Sequence, residues 1–169
     1  MADQKVTLGL INPKNPQNVG SALRAARCYG ASSVFYSGQR FAYARQFNTD
    51  TKQAAREIPL VGCEDLKSMV PKGAKVVAVE LVEGATALPA FIHPENAFYL
   101  FGPEDASISQ EDLSWCDEVV YIPTKGCMNL AATVNVVLYD RMAKSQHTDY
   151  GDHIILTSRD SNNNTRWKG

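Results

Sequence analysis

Apolar and polar positions along this chain fall into two alternating patterns. Short unbroken apolar runs at residues 6–11, 33–36, 75–81, 97–101 and 118–122 read as buried strands, and the valine-rich 75–81 run suits an inner parallel strand. Between the first two runs, Val19, Ala22, Leu23 and Ala26 lie on one face of a helix. Pro13 and Pro16 keep that helix from starting before about Gln17, and Gly30 stops it. Thr49 or Asp50 is placed to cap a helix through Arg56, which Ile58-Pro59 ends, and residues 63–70 read as another short helix before Pro71-Lys72-Gly73. The stretch 83–96 reads as a loop, and Ser109 with Asp112 approaches a capping box.

The last pattern is different. From Asn129 to about Lys144 the apolar residues Leu130, Ala131, Ala132, Val134, Val136, Val137, Leu138, Tyr139 and Met142 go nearly all the way round a helix. Thr133, Asp140 and Lys144 mark a narrow wet face. Such a helix must be covered on every side, by its own chain or by a partner subunit, and Asn135 within it needs a hydrogen-bond partner. Strands alternating with helices predict one α/β domain over residues 1–150 with a mostly parallel sheet flanked by helices. Residues 151–169 read as a polar tail whose Arg159, Arg166, Trp167 and Lys168 can touch a nucleic acid.

At 169 residues and 44% hydrophobic content, the chain can bury one full core. It has no 18-residue apolar stretch, and its first residues lack a signal-peptide core, so a soluble cytoplasmic protein with no membrane partner is expected. Cys28, Cys63, Cys116 and Cys127 form no CxxC pair and no cluster with histidine, which argues against structural zinc and a disulfide framework. The net charge of −1 hides an asymmetry: residues 1–60 carry +5, residues 61–120 carry −8 and the rest +2. A basic first third suits a polyanion, although charge blocks are often only solvated surface.

Three strand ends run into unusual turns, at residues 12–18, 102–105 and 123–129. Ligands of parallel sheets sit beyond the carboxyl ends of strands, so convergence of these turns would gather Asn18, Arg24, Glu104, Cys127 and Asn129. There is no GxGxxG and no GxxxxGK[ST], which removes the usual dinucleotide and P-loop readings. Arg40, Phe41, Tyr43, Arg45 and Phe47 interleave arginines with aromatics in a segment without regular period. It is either an RNA-gripping loop or a surface loop that tucks its aromatics onto the core.

The three turns, in this order, resemble the motifs of the SpoU branch of the knotted (SPOUT) RNA 2′-O-ribose methyltransferases. The first, NPxNxGxxxRxAxxxG, is met by Asn12-Pro13 or Asn15-Pro16, then Asn18, Gly20, Arg24, Ala26 and Gly30. The second, FGPE, is residues 101–104, and the third, IPxxGxxNLAxxVxVVxY, runs from Ile122 through Asn129 to Tyr139. The likeness covers roughly residues 6–144.

The resemblance implies a single-domain α/β knot with a deep C-terminal trefoil, and S-adenosylmethionine bound largely by backbone groups. The matching cofactor positions are Val79, Glu80, Leu81, Leu100, Gly102, Ile122, Cys127, Met128 and Ala131. It implies a homodimer through helix 129–144, RNA as substrate, and no metal. By matching position Arg24, Asn18, Glu104 and Asn129 are the catalytic set, with Arg24, Arg27, Arg40 and Arg45 on the RNA. Glu104 is expected to orient Arg24 or to hold the third turn. Arginine is effectively always protonated, so Arg24 suits a phosphate anchor or alkoxide stabiliser better than a base. Many relatives carry serine where Cys127 stands; the thiol is harmless if only the backbone matters there. The compact chain, without the extra N-terminal RNA-binding domain of many ribosomal-RNA members, favours tRNA over ribosomal RNA as the expected substrate.

Overall fold

A computed structural model describes residues 5–45 and 58–168. The helix expected between Thr49 or Asp50 and Arg56 falls outside the described residues, as does Phe47. The chain runs β1 (Val6–Leu10), α1 (Pro16–Cys28), β2 (Ser33–Ser37), α2 (Arg40–Arg45), β3 (Leu60–Cys63), β4 (Lys75–Val79), β5 (Thr86–Ala87), β6 (Ala97–Phe101), α3 (Gln110–Leu113), β7 (Glu118–Tyr121), α4 (Leu130–Lys144) and α5 (Asp152–Ser158). The strands form one sheet in the order β3-β2-β1-β6-β4-β7-β5. Every pairing is parallel.

The period-two rule of strands divides the core in two. Val77, Val79, Tyr99 and Phe101 face α1 and α4, where Leu8, Leu10, Val19, Leu23, Val134 and Val137 complete one layer. Their neighbours Val76, Ala78, Phe98 and Leu100 face the opposite side and pack with Leu66 and Ile108. Asn15 caps α1 by accepting from Gln17 N, with Pro16 at the first turn where a missing donor costs nothing. Gly30 follows its last turn at φ +72°, the left-handed stop that the sequence predicts. Ser109 caps α3 through Asp112 N, and Asn129 caps α4 through Ala132 N.

Several expectations need correction. Residues 37–49 are not all loop: α2 forms there because Phe41 is fully buried and meets Tyr36 edge-on at 4.9 Å. Residues 63–70 hold no α-helix. They begin at the end of edge strand β3, then make a single 3₁₀ turn, Lys67–Met69, capped by Asp65 accepting from Lys67 N and Ser68 N. Gly62 masks the strand pattern of β3 because its site lies against the Tyr36 ring. The 83–96 stretch contains the two-residue β5 and a 3₁₀ turn, Leu88–Ala90. The tail carries α5, whose Ile155 and Leu156 are exposed.

On helix α4 the polar positions are the ones that depart from expectation. Its inner face, Leu130, Val134, Val137 and Leu138, is buried in the chain's own core, while Tyr139 is 56% exposed. Asn135 is exposed and answers its amide locally, donating to Ala131 O at 2.9 Å. Asp140 and Lys144, expected on a wet face, instead enter a polar network. Lys144 Nζ lies 2.6 Å from Asp140 and donates to Leu88 O and Phe91 O, and Asp140 also meets His93. No helix among the described residues is long and apolar enough to cross a membrane.

Candidate functional site

The strand order turns back on itself at β1 and β6: β2 and β3 lie outward of β1, whereas β4, β7 and β5 lie beyond β6. At such a reversal loops diverge and leave a crevice beyond the strand ends. Here that crevice is a cleft of about 490 Å³, within the usual range for a small-molecule site. Its floor is Val79 and Phe101, the last residues of β4 and β6. Its walls come from Glu80, Leu81, the 102–107 turn, Ile122, Thr124, and Cys127 to Leu130, with Asn18 and Thr133 contributed by α1 and α4.

The three turns therefore do converge. Of the expected cofactor residues, Val79, Glu80, Leu81, Gly102, Ile122, Cys127 and Met128 line the cleft. Leu100 and Ala131 are not part of the lining. Leu100 lies one residue before Phe101 and so points to the opposite face of the sheet, fully buried there. Ala131 is buried at the base of α4, and Leu130 and Thr133 line the cleft in its place. Glu104, expected as a catalytic residue, lines the cleft, and Phe101, Pro103, Asp105 to Ser107, Thr124, Leu130 and Thr133 line it without having been named as site residues. The Gly102-Pro103 turn after β6 was the available signal for Pro103 and Asp105 to Ser107.

Glu104 is the hinge between two turns, and not in the expected way. Its Oε2 accepts from Lys14 N at 2.8 Å, and its Oε1 accepts from Asn15 N at 3.0 Å and Asn18 Nδ2 at 3.3 Å. It thus holds the first turn rather than Arg24 or the third turn. Burial alone would raise its pKa, but those donors outweigh burial and hold the carboxyl below its ordinary value. Glu80 plays a similar part across the cleft, accepting from Leu81 N and from Ile108 N, each at 2.8 Å. These bonds pin the 102–108 turn against the end of β4. Asn129 uses Oδ1 to cap α4 at 2.7 Å while it lines the cleft.

The arginines separate. Arg24 is exposed on α1 and does not line the cleft; six residues beyond Asn18, it stands roughly 9 Å further along the helix axis. Arg27 and Arg45 are also exposed. Arg40 is engaged within the protein, with Asn12 O and with Asp105 at 2.8 Å. Among the described residues no group of His, Cys, Asp or Glu is arranged to hold a metal.

The chemistry of the cleft is mixed. Leu81, Ile122, Met128 and Leu130 supply apolar surface, Glu80, Asn18 and Asn129 supply hydrogen-bonding groups, and the Cys127 thiol is exposed. A flat aromatic group and a sugar would both find partners there.

Comparison with known proteins bears on this geometry. The model of the SpoU rRNA Methylase family matches residues 5–139. A curated Pseudomonas aeruginosa protein, tRNA (cytidine/uridine/adenosine-2′-O-)-methyltransferase TrmJ, is 30% identical over 158 residues, covering 82% of this chain and 61% of that protein. The Acinetobacter baylyi 23S rRNA (guanosine-2′-O-)-methyltransferase RlmB is 25% identical over 154 residues, covering 82% and 59%. The chain thus spans about three-fifths of the length of these relatives. Among solved structures, one described as giving insight into the 2-OH methylation of C/U34 on tRNA superposes with a TM-score of 0.70 at 23% identity, covering 85% of this chain and 92% of that one. An AdoMet-bound rRNA methyltransferase from Sinorhizobium meliloti also gives 0.70, at 20% identity over 83% and 57%.

Proposed function

Because the chain belongs to the SpoU rRNA Methylase family, we propose that it is an S-adenosylmethionine-dependent RNA 2′-O-ribose methyltransferase. The observation that carries this reading is the convergence of the three motif turns on one cleft at the sheet's reversal point. The cofactor's contribution is an electrophilic methyl group on a sulfonium. When bound, the cofactor would supply that methyl to a ribose 2′-oxygen, and because its sulfur would depart neutral the chemistry needs no metal.

Val79, Leu81, Gly102, Ile122, Cys127 and Met128 would hold the cofactor, with Glu80 near its polar groups. Asn18, fixed by Glu104, would orient the ribose, and Asn129 would offer its amide donors, since its oxygen is spent on the helix cap. Such placement converts a bimolecular encounter into an oriented one. Arg24, Arg27 and Arg45 present positive charge from outside the cleft and suit phosphates flanking the target nucleotide. Arg24 in this scheme anchors RNA and is not the base.

The same reading includes the C-terminal trefoil knot and a homodimer. The outward side of α4, with Ala132, Val136 and Tyr139, is the surface left for a second copy. The substrate is tRNA in this reading, favoured by the relative of higher identity; ribosomal RNA is the alternative, after the other relative.

The test is methyl transfer from radiolabelled S-adenosylmethionine to unmodified tRNA and, separately, to unmodified ribosomal RNA. Label in tRNA at a ribose 2′-oxygen supports the proposal. Label in ribosomal RNA alone moves it to the alternative, and no label in either rejects it. Arg24→Ala should abolish transfer while sparing cofactor affinity. Equal loss of cofactor affinity would put Arg24 on the cofactor instead.

A further inference from the structure

Arg40 carries a guanidinium that the sequence assigns to RNA and that the fold uses differently. It opens α2, and the burial of the adjacent Phe41 fixes its backbone. Nε and Nη2 donate to the carbonyl of Asn12 at 3.2 and 2.6 Å. Nη1 donates to both carboxylate oxygens of Asp105, at 3.0 and 2.8 Å. The hydrogen bond from Arg40 keeps the Asp105 carboxyl below its ordinary pKa, so both groups stay charged.

The two partners sit on different turns of the cleft. Asn12 is the first residue of the 12–18 turn, and Asp105 follows Glu104 in the 102–107 turn. Asn12 holds φ at +40°, the one non-glycine residue with positive φ among those described. Its Oδ1 is buried without a hydrogen-bond partner, in a space that Gly38 leaves open. A backbone of that kind persists where its surroundings over-determine it, and Arg40 provides part of that constraint. Glu104 makes the second stitch, through the amides of Lys14 and Asn15. Glu104 also accepts from Asn18 Nδ2 at 3.3 Å, so the two stitches tie the first turn to the second at both of its ends.

We infer that Arg40 is a positioning residue of the proposed transfer site, locking the first turn to the second, and not a contact to the RNA backbone. The inference rests on the methyltransferase reading. Arginine suits the task because its planar fork reaches a carbonyl and a carboxylate at once, whereas a lysine ammonium is a single point. Asp105 at 2.8 Å and the neighbouring Glu104 carboxylate both act on its charge, and together they also offset Lys14, 3.9 Å from Asp105, so Arg40 offers a phosphate little unbalanced charge.

The experiment compares the full chain with Arg40→Ala, Arg40→Lys and Asp105→Asn. In protein without RNA or cofactor, amide exchange over residues 12–18 should quicken in Arg40→Ala and Asp105→Asn, while the β4 and β6 peptides keep their protection. With RNA, kcat should fall by about 10- to 100-fold, as for a misplacement on the order of 1 Å. Cofactor affinity should hold in the Arg40 variants, whose side chain does not line the cleft, and Arg40→Lys should recover part of kcat. The salt dependence of RNA affinity decides the alternative. Loss of one phosphate contact lowers the slope of log K against log salt by roughly 0.7, and a positioning residue leaves it unchanged. A reduced slope with kcat intact overturns the inference, as does unchanged exchange over 12–18 in both variants. Wild-type protein that methylates no RNA rejects the underlying reading, and the exchange arm then still decides whether Arg40 joins the two turns.

Discussion

Replacing His93 by alanine should destabilise the fold and flatten its pH response. The His93 side chain is 5% exposed, with Nε2 2.8 Å from Asp140 and Nδ1 2.6 Å from the Tyr99 hydroxyl. Ionised Asp140 can only accept, so Nε2 bears the hydrogen and Nδ1 accepts from the Tyr99 O–H. Arg141 Nη1 donates to the same Tyr99 oxygen at 3.2 Å. A second proton on the ring would force that hydroxyl hydrogen to find another acceptor. Burial pushes the His93 pKa down, more than the Asp140 hydrogen bond lifts it, and Arg141 and Lys144 push it down further.

The sign follows from the depressed folded value. Below about 6.5 the unfolded chain takes up a proton that the native state resists, so stability is complete above that pH. It declines as pH falls, by at most about 1.4 kcal/mol per pH unit. His93→Ala removes one hydrogen bond to a carboxylate, about 1.5–3 kcal/mol, and strips Tyr99 of its acceptor, about 1 kcal/mol more. Asp140 keeps Lys144 at 2.6 Å, which limits the damage. The expected loss near pH 7.5 is about 3 kcal/mol, or roughly 6–12 °C in Tm. Urea unfolding of both proteins between pH 5.5 and 8, at one protein concentration, should show the difference narrowing as pH drops through 6.5. A difference that stays constant, or widens on acidification, refutes the neutral-histidine assignment.

Other expectations are simpler. A Cβ at Gly9 would lie 2.6 Å from two ring carbons of fully buried Phe98, so Gly9→Ala should cost about 1–3 kcal/mol in urea unfolding; unchanged stability would mean the ring can move aside. In a Cys28→Ser background at pH 8, iodoacetamide should modify exposed Cys127 and spare Cys116, whose thiol burial pushes up to about 11. S-adenosylhomocysteine should slow the Cys127 reaction, and a rate indifferent to it would remove Cys127 from the cofactor site. If the proposed homodimer forms through α4, Tyr139→Asp should shift the particle to a monomer in sedimentation while leaving the fold intact, since Tyr139 is exposed there; a variant that still sediments as a dimer would move the interface elsewhere.

Where a feature depends on neighbours in the chain, the sequence by itself determined it. The apolar runs became β1, β2, β4, β6 and β7, because burial on both faces leaves few polar residues in an inner parallel strand. Proline, asparagine and glycine set the ends of α1, and Ser109 and Asn129 capped their helices, because those effects act within one turn. The three turns at strand ends were legible for the same reason, and with them most of the cleft. Tertiary structure alone decided what each long side chain reaches. Glu104 could have turned to several partners, and the close approach of the first turn gave it two backbone amides. Asp140 and Lys144 read as a wet face until loop 88–95 folded over them, and Arg40 read as an RNA contact until Asp105 arrived from 65 residues away. Leu100 and Phe101 are equally apolar in sequence, yet the pleat sends them into opposite layers of the core, and only Phe101 also reaches the cleft. Those choices rest on contacts between distant segments, whose geometry exists only once the sheet has assembled.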